Sequence, residues 1–183
     1  MELTKSITNS KIIKLFLIAL LGSILLTISA KIKIPFYPVP MTMQTFVVLF
    51  LGISFGHKVG TAAVVLYLIE GISGLPVFSN SPEKGIGISY FVGPTMGYLI
   101  GFIFASMLVG YLKFNKNFFL NFLKITISTS LIYFFGVLWL GTLIGWDKPI
   151  LQLGVYPFLL AELFKILLIT LLVNKIIKLR KFI

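Results

Sequence analysis

The sequence contains no cysteine and one histidine, His57. Without thiols there is no disulfide, no thiolate metal site and no cysteine nucleophile, and the redox compartment stays open. One imidazole is too little for a zinc or haem site, and no catalytic triad can be assembled around it. The 5 acidic residues form no cluster that would hold a divalent metal. No cofactor and no enzymatic activity are expected. Polar surface is scarce as well: 11% of the 183 residues are charged against 58% hydrophobic. A soluble chain of this size needs far more charge to cover itself. Lipid is the solvent that tolerates such a balance.

The net charge of +11 raises the question of nucleic acid. The distribution argues against it. No basic stretch is interleaved with base-stacking aromatics, and the cations sit at the ends of apolar segments, as membrane topology places them.

A bilayer core takes roughly 17–25 apolar residues per helix. Six apolar segments are expected to be helical spans: 15–30, 41–56, 59–72, 90–112, 122–144 and 156–173. Residues 1–183 thus form a single all-α, polytopic transmembrane domain. The second and third segments are short for a full crossing and are expected to tilt or to stop below the surface. Pro157 sits where a helix can begin without losing a hydrogen bond. The first segment also has features of a signal peptide, with Lys14 before an apolar core and small residues near Ser29 and Ala30. With both termini in the cytoplasm, that side holds 11 basic residues (Lys5, Lys11, Lys14, Lys58, Lys113, Lys116, Lys124, Lys175, Lys178, Arg180 and Lys181). The outer side holds 4: Lys31, Lys33, Lys84 and Lys148. This satisfies the positive-inside rule and predicts a multi-pass cell-membrane protein with both termini cytoplasmic.

The two longer outer loops carry the non-random detail. The first reads Lys31-Ile-Lys-Ile-Pro-Phe-Tyr-Pro-Val-Pro40, whose prolines exclude helix and favour extended backbone. The second runs from Gly74 to Ile88. Elaboration on one face suggests a lid over an outward-facing site.

Glu162 and Lys165 lie three apart in the last span, on one helix face, and charges within a span face a cavity or each other. They read as a ligand site, or as an ion pair that fixes packing. Glu70, at the outer end of the third segment, is expected to snorkel or to pair with Lys31 or Lys33. Gln44 must point inward for partners, as a site residue or as a helix-to-helix hydrogen bond. Asn80 is a ligand residue or an ordinary turn residue. Gly93, Gly97 and Gly101 are spaced by four and predict a small-residue groove, with Tyr98 lining a pocket or anchoring at the interface. Ala19 and Ser23 form a small-xxx-small pair, a surface for a partner subunit or for packing.

Together these stretches resemble BioY, the biotin-specific S component of energy-coupling factor (ECF) transporters. The matching segments are Pro38-Val-Pro-Met-Thr-Met-Gln-Thr45, Tyr67 through Gly71-Ile-Ser-Gly-Leu-Pro-Val-Phe78, Gly93-Pro-Thr-Met-Gly-Tyr-Leu-Ile-Gly-Phe102 and the Glu162-Leu-Phe-Lys165 spacing. The resemblance implies an ECF S-component-like bundle of six helices. It implies biotin held in a cavity below the first two outer loops, and association with a transmembrane coupling subunit driven by two ATPase subunits. Docking on that subunit is implied to use Ala19 and Ser23. The family's ligand residues fall on Asn80, Glu162 and Lys165, with Gln44 and Tyr98 beside them. Under this reading Glu162 accepts a ureido N–H of biotin, while Lys165 and Asn80 donate to the ureido carbonyl. Phe78, Tyr90, Phe91 and Tyr98 cover the rings, and the valerate carboxylate lies nearer the loops. The reverse pose places the carboxylate on Lys165. Three alternatives stand beside it: an S component for thiamine or riboflavin, a small intramembrane enzyme acting on lipid with Glu162 as base, and a structural membrane subunit.

Overall fold

A computed structural model describes residues 2–35 and 37–183, with side chains from Lys11 onward. The side chain of Lys5 and residue Phe36 of the first loop lie outside the described residues. Helix α1 (Glu2–Lys31) leads to a hairpin of two short strands, β1 (Lys33–Ile34) and β2 (Met41–Thr42), paired antiparallel with Lys33 opposite Thr42 and Ile34 opposite Met41. Then come α2 (Gln44–Ile72), the short α3 (Gly87–Phe91), α4 (Met96–Tyr111), α5 (Phe118–Ile144), the short α6 (Ile150–Gly154), a 3-10 turn (Tyr156–Phe158), α7 (Leu159–Ile176) and a terminal 3-10 segment (Ile177–Phe182).

Helix α2 is two antiparallel arms, 44–55 and 57–72, that reverse at Gly56, whose φ of 67° and ψ of 174° are open to glycine and costly for other residues. The Gln44 amide nitrogen lies 2.8 Å from the Tyr67 hydroxyl. In a straight helix those residues would sit about 34 Å apart at 1.5 Å per residue. Gly60 packs so closely on the first arm that a Cβ there would lie 2.6 Å from the Leu51 carbonyl oxygen. The two short segments expected from the sequence are therefore present, and the polar break shrinks to Gly56, with His57 and Lys58 already helical. With α1, α4, α5 and α7 the two arms make six helices, as expected for the bundle.

Three of the boundaries that differ from the sequence reading have a local cause. Met41 and Thr42 belong to a strand, because Pro35, Pro38 and Pro40 fall between the two strands and leave both rungs free of proline. The fourth segment is broken: Pro94 disfavours helix at Gly93 and separates α3 from α4. The fifth starts earlier, at Phe118, where the Asn117 side chain accepts a hydrogen bond from the Leu120 amide at 3.0 Å and caps the helix.

Helix α2 packs on α1, α4 and α7, and α5 packs on α4 and α7. One buried cluster, including Tyr67, Phe78, Tyr98 and Phe102, occupies the loop end, and a second, including Leu49, Ile125 and Ile169, occupies the end of the termini. Large apolar side chains line the exterior: Leu21, Leu160 and Leu171 are each 65–67% exposed. Such a surface suits lipid and not water. Among the described residues, four helical stretches are long and apolar enough to cross a membrane by length and composition, one of them α2 counted across its reversal at Gly56, and α4 is a shorter apolar helix.

In lipid, association of helices depends on close packing. A Cβ on Gly97 would run into the Phe135 carbonyl oxygen, and one on Gly101 would lie 2.7 Å from the Ile132 Cα. These two glycines seat α4 on α5. Gly93, outside α4, faces its own turn near Tyr90. The expected groove is thus two glycines long.

Candidate functional site

The hairpin, the loop after α2 and the loop-side ends of α4, α5 and α7 line a cavity with about 540 Å³ of empty space, open solvent at its mouth included. Its walls are mainly apolar and aromatic, with Phe78, Tyr90, Tyr98, Phe102, Tyr133 and Phe158 among them.

At the α7 wall stands Glu162, 5% exposed. Its Oε1 accepts from Lys165 Nζ at 2.7 Å and from Thr45 Oγ1 at 2.8 Å. Its buried Oε2 has no partner in hydrogen-bond geometry among the described residues, and the Tyr133 hydroxyl is the nearby donor that interacts with the carboxylate. Lys165 is 7% exposed and uses three donors: to Glu162, to the Thr42 carbonyl at 2.6 Å and to Thr45 Oγ1 at 3.0 Å. An ammonium has only three N–H bonds, so Lys165 is saturated. It lies behind Glu162 and ties α7 to β2 and α2.

The aromatic cover is anchored by glycines. The Phe78 ring lies directly on Gly71, stacks on Tyr90 at 5.1 Å and meets Tyr67 edge-on at 5.5 Å. The Tyr98 ring lies on Gly136, and its hydroxyl donates to the Gly154 carbonyl at 2.7 Å. Lysines of the first loop fasten the second. Lys31 Nζ donates to the carbonyls of Phe78 (2.8 Å) and Ser81 (2.7 Å). Lys33 Nζ donates to the Ser79 carbonyl (2.7 Å) and to Asn80 Oδ1 (2.9 Å). Lys84 sits over the Tyr37 ring at 5.9 Å.

Among the predicted site residues, Glu162, Gln44, Tyr98, Phe78 and Tyr90 meet at this cavity. Gln44 also makes the helix-to-helix bond to Tyr67, so both of its readings hold geometrically. Asn80, Lys165 and Phe91 stand one layer back: Asn80 faces Lys33, and Phe91 packs on Phe78 with ring centroids 6.2 Å apart. Ala19 and Ser23 are buried against α2, and Ser23 Oγ donates to Glu70 Oε1 at 2.9 Å. Small residues let α1 approach α2 of the same chain, so this pair does not form an open docking face here. Glu70 takes Ser23, not Lys31 or Lys33, as its partner, because both lysines are held by the second loop. Thr42, Thr45 and Tyr133 were missed from the sequence. Thr45 follows Gln44 directly in a span, and the argument that made Gln44 point inward applies to it equally.

A family model described as the BioY family matches residues 3–182. The chain belongs to the BioY family. Among BioY relatives, the biotin transporter BioY of Thermotoga maritima is 36% identical over 156 residues, covering 85% of this chain and 90% of the relative. The probable biotin transporter BioY of Pyrococcus horikoshii is 34% identical, over 77% of this chain and 82% of its own length. Biotin transporter BioY2 of Lactococcus lactis is 31% identical, covering 88% of each chain. A crystal structure of the S-component for biotin from an ECF-type ABC transporter shares the fold, with a TM-score of 0.77, 24% identity, and 93% and 94% of the two chains covered.

Proposed function

We propose that this chain is a membrane-embedded, biotin-binding specificity subunit for biotin uptake, energised by an ECF coupling subunit and two ATPase subunits. Membership of a family whose relatives are named biotin transporters supports the substrate. The observation that carries the site is Glu162: a buried carboxylate in the wall of a mainly apolar cavity, neutralised from behind, with Oε2 making no hydrogen bond among the described residues. That is the complement of a ureido N–H, whose burial without an acceptor would be costly. The aromatic roof matches the fused rings. Gln44, beside the Glu162 wall, offers a further polar contact.

Lys165 acts here as a positioning residue that holds Glu162 oriented. Asn80 orders the loop through Lys33. ATP hydrolysis falls to partner subunits, since the sequence has no phosphate-binding glycine loop. The excess of basic residues at the end of the termini supports a cytoplasmic placement for both, which opens the cavity outward.

The experiment is equilibrium binding of biotin, thiamine and riboflavin to the detergent-purified chain and to the Glu162→Ala, Lys165→Ala double variant. Selective binding of biotin, lost in a folded double variant, is the expected result. Absence of biotin binding by the folded wild type, or preference for another vitamin, would overturn the assignment.

A further inference from the structure

We propose that Lys31 and Lys33 form the subsite for the ligand's anionic end-group, a carboxylate, at the mouth of the cavity. The inference rests on the biotin reading above and assigns the end of the ligand that Glu162 cannot hold.

Placement comes first. Lys33 pairs across the hairpin with Thr42, which lines the cavity, and its ammonium reaches the carbonyl of Ser79, which lines it too. Lys31 reaches the carbonyl of Phe78, the residue before. Neither lysine lines the cavity itself, but the two ammoniums meet the consecutive peptide carbonyls of Phe78 and Ser79, which do line it.

Charge comes second. Each acceptor that these lysines use is neutral: three carbonyls and the Asn80 amide oxygen. The ion pairs among the described residues join Lys148 to Asp147 and Lys165 to Glu162, and neither lysine takes part. Glu83, whose charge acts on Lys31, is exposed and makes no ion pair with it. Each ammonium has three donors and spends two, so each keeps one. Lys165 spends all three. Glu162 is an acceptor and its ammonium partner is fully spent, so that end of the cavity offers a carboxylate no free donor from Lys165. An acid with a neutral head thus enters head first and leaves its carboxylate at the rim. There it takes the third donor of each lysine, and the same ammoniums bind ligand and loop together.

The test compares biotin with biotin methyl ester and biotinamide, which lack the charge, on the full-length wild type, Lys33→Gln, Lys31→Gln and Lys33→Arg. Wild type is expected to bind the free acid about tenfold or more tighter than either neutral analogue, the usual weight of a hydrogen bond to a charged group. In Lys33→Gln and Lys31→Gln that preference shrinks while the neutral analogues still bind, which also shows an intact site. Lys33→Arg keeps the preference. Equal losses for acid and ester would mean that the lysines only latch the loop, and would overturn the proposal. A wild type that binds all three compounds alike would overturn it too, and leave the biotin assignment standing. A folded wild type that binds none of them would overturn both.

Discussion

Glu162 and Lys165 stand one turn apart on α7 with 2.7 Å between Oε1 and Nζ, both almost fully enclosed. Thr45 touches both members of the pair, so the first arm of α2 and α7 are joined through it. Removing one charge leaves the other buried and unpaired, which costs about 3–5 kcal/mol, whereas replacing both by apolar groups of similar volume is often neutral. Glu162→Leu and Lys165→Met are each expected to lower the thermal unfolding midpoint markedly. The double variant should recover most of it and still fail to bind biotin. Unfolding in detergent, read beside binding, separates the pair's two contributions. A double variant that binds biotin normally would make the pair structural only.

The six helices and the Glu162–Lys165 face were legible because apolar run length and helical spacing are local properties. The cavity's inner geometry was not. Sequence spacing put Lys165 beside Glu162 but could not show that Thr42 and Thr45, more than a hundred residues away, consume its remaining donors. Likewise Ala19 and Ser23 marked a close approach without saying which helix approaches. The reversal at Gly56 was visible only as a break, since the 29-residue stretch from Gln44 to Ile72 is apolar on both sides of it. Contacts between distant segments decide these points, and one sequence carries no record of them.

Arg180 is predicted to hold the end of the bundle remote from the cavity. Its Nε donates to the Ile53 carbonyl at 2.8 Å, and one terminal nitrogen donates to Gly110 at 2.9 Å. Both carbonyls belong to final helical turns, before Gly56 and at the end of α4, where backbone acceptors lack partners. A cation there also complements the helix dipoles. Arg180→Ala should cost about 1.5–3 kcal/mol, the range for hydrogen bonds to a charged donor. Lysine should restore only part, lacking the planar fork. Biotin affinity below the unfolding temperature should stay unchanged. A loss of affinity in the folded variant would mean that the two ends are coupled.

The absence of cysteine makes topology directly testable. Glu83, in the loop after α2, and Lys116, in the connector between α4 and α5, are both exposed. In intact cells, Glu83→Cys should react with a membrane-impermeant maleimide, and Lys116→Cys only after permeabilisation. The reversed pattern would place the termini outside and turn the cavity toward the cytoplasm. Labelling of both from one side would contradict an odd number of crossings between them.

Two glycines fix where the aromatic walls of the cavity stand. Phe78 rests on Gly71 and Tyr98 on Gly136, each ring so close that an added methyl would overlap it. Neither ring can retreat, because Tyr67 flanks Phe78 and the Tyr98 hydroxyl is bound to Gly154. Gly71→Ala and Gly136→Ala should therefore push the rings toward the ligand. Overpacking of this kind costs typically about 1–3 kcal/mol. Part of that should appear as weaker biotin binding, about tenfold for 1.4 kcal/mol. Gly97→Ala is the control. It crowds Phe135 and Trp139 between α4 and α5, away from the cavity lining, and should lower stability with little change in affinity. Combining Gly71→Ala with Phe78→Leu, whose side chain is smaller, should recover stability. If Gly71→Ala and Gly136→Ala bind biotin as wild type does, the rings have room to move, and the roof is less rigid than these contacts require.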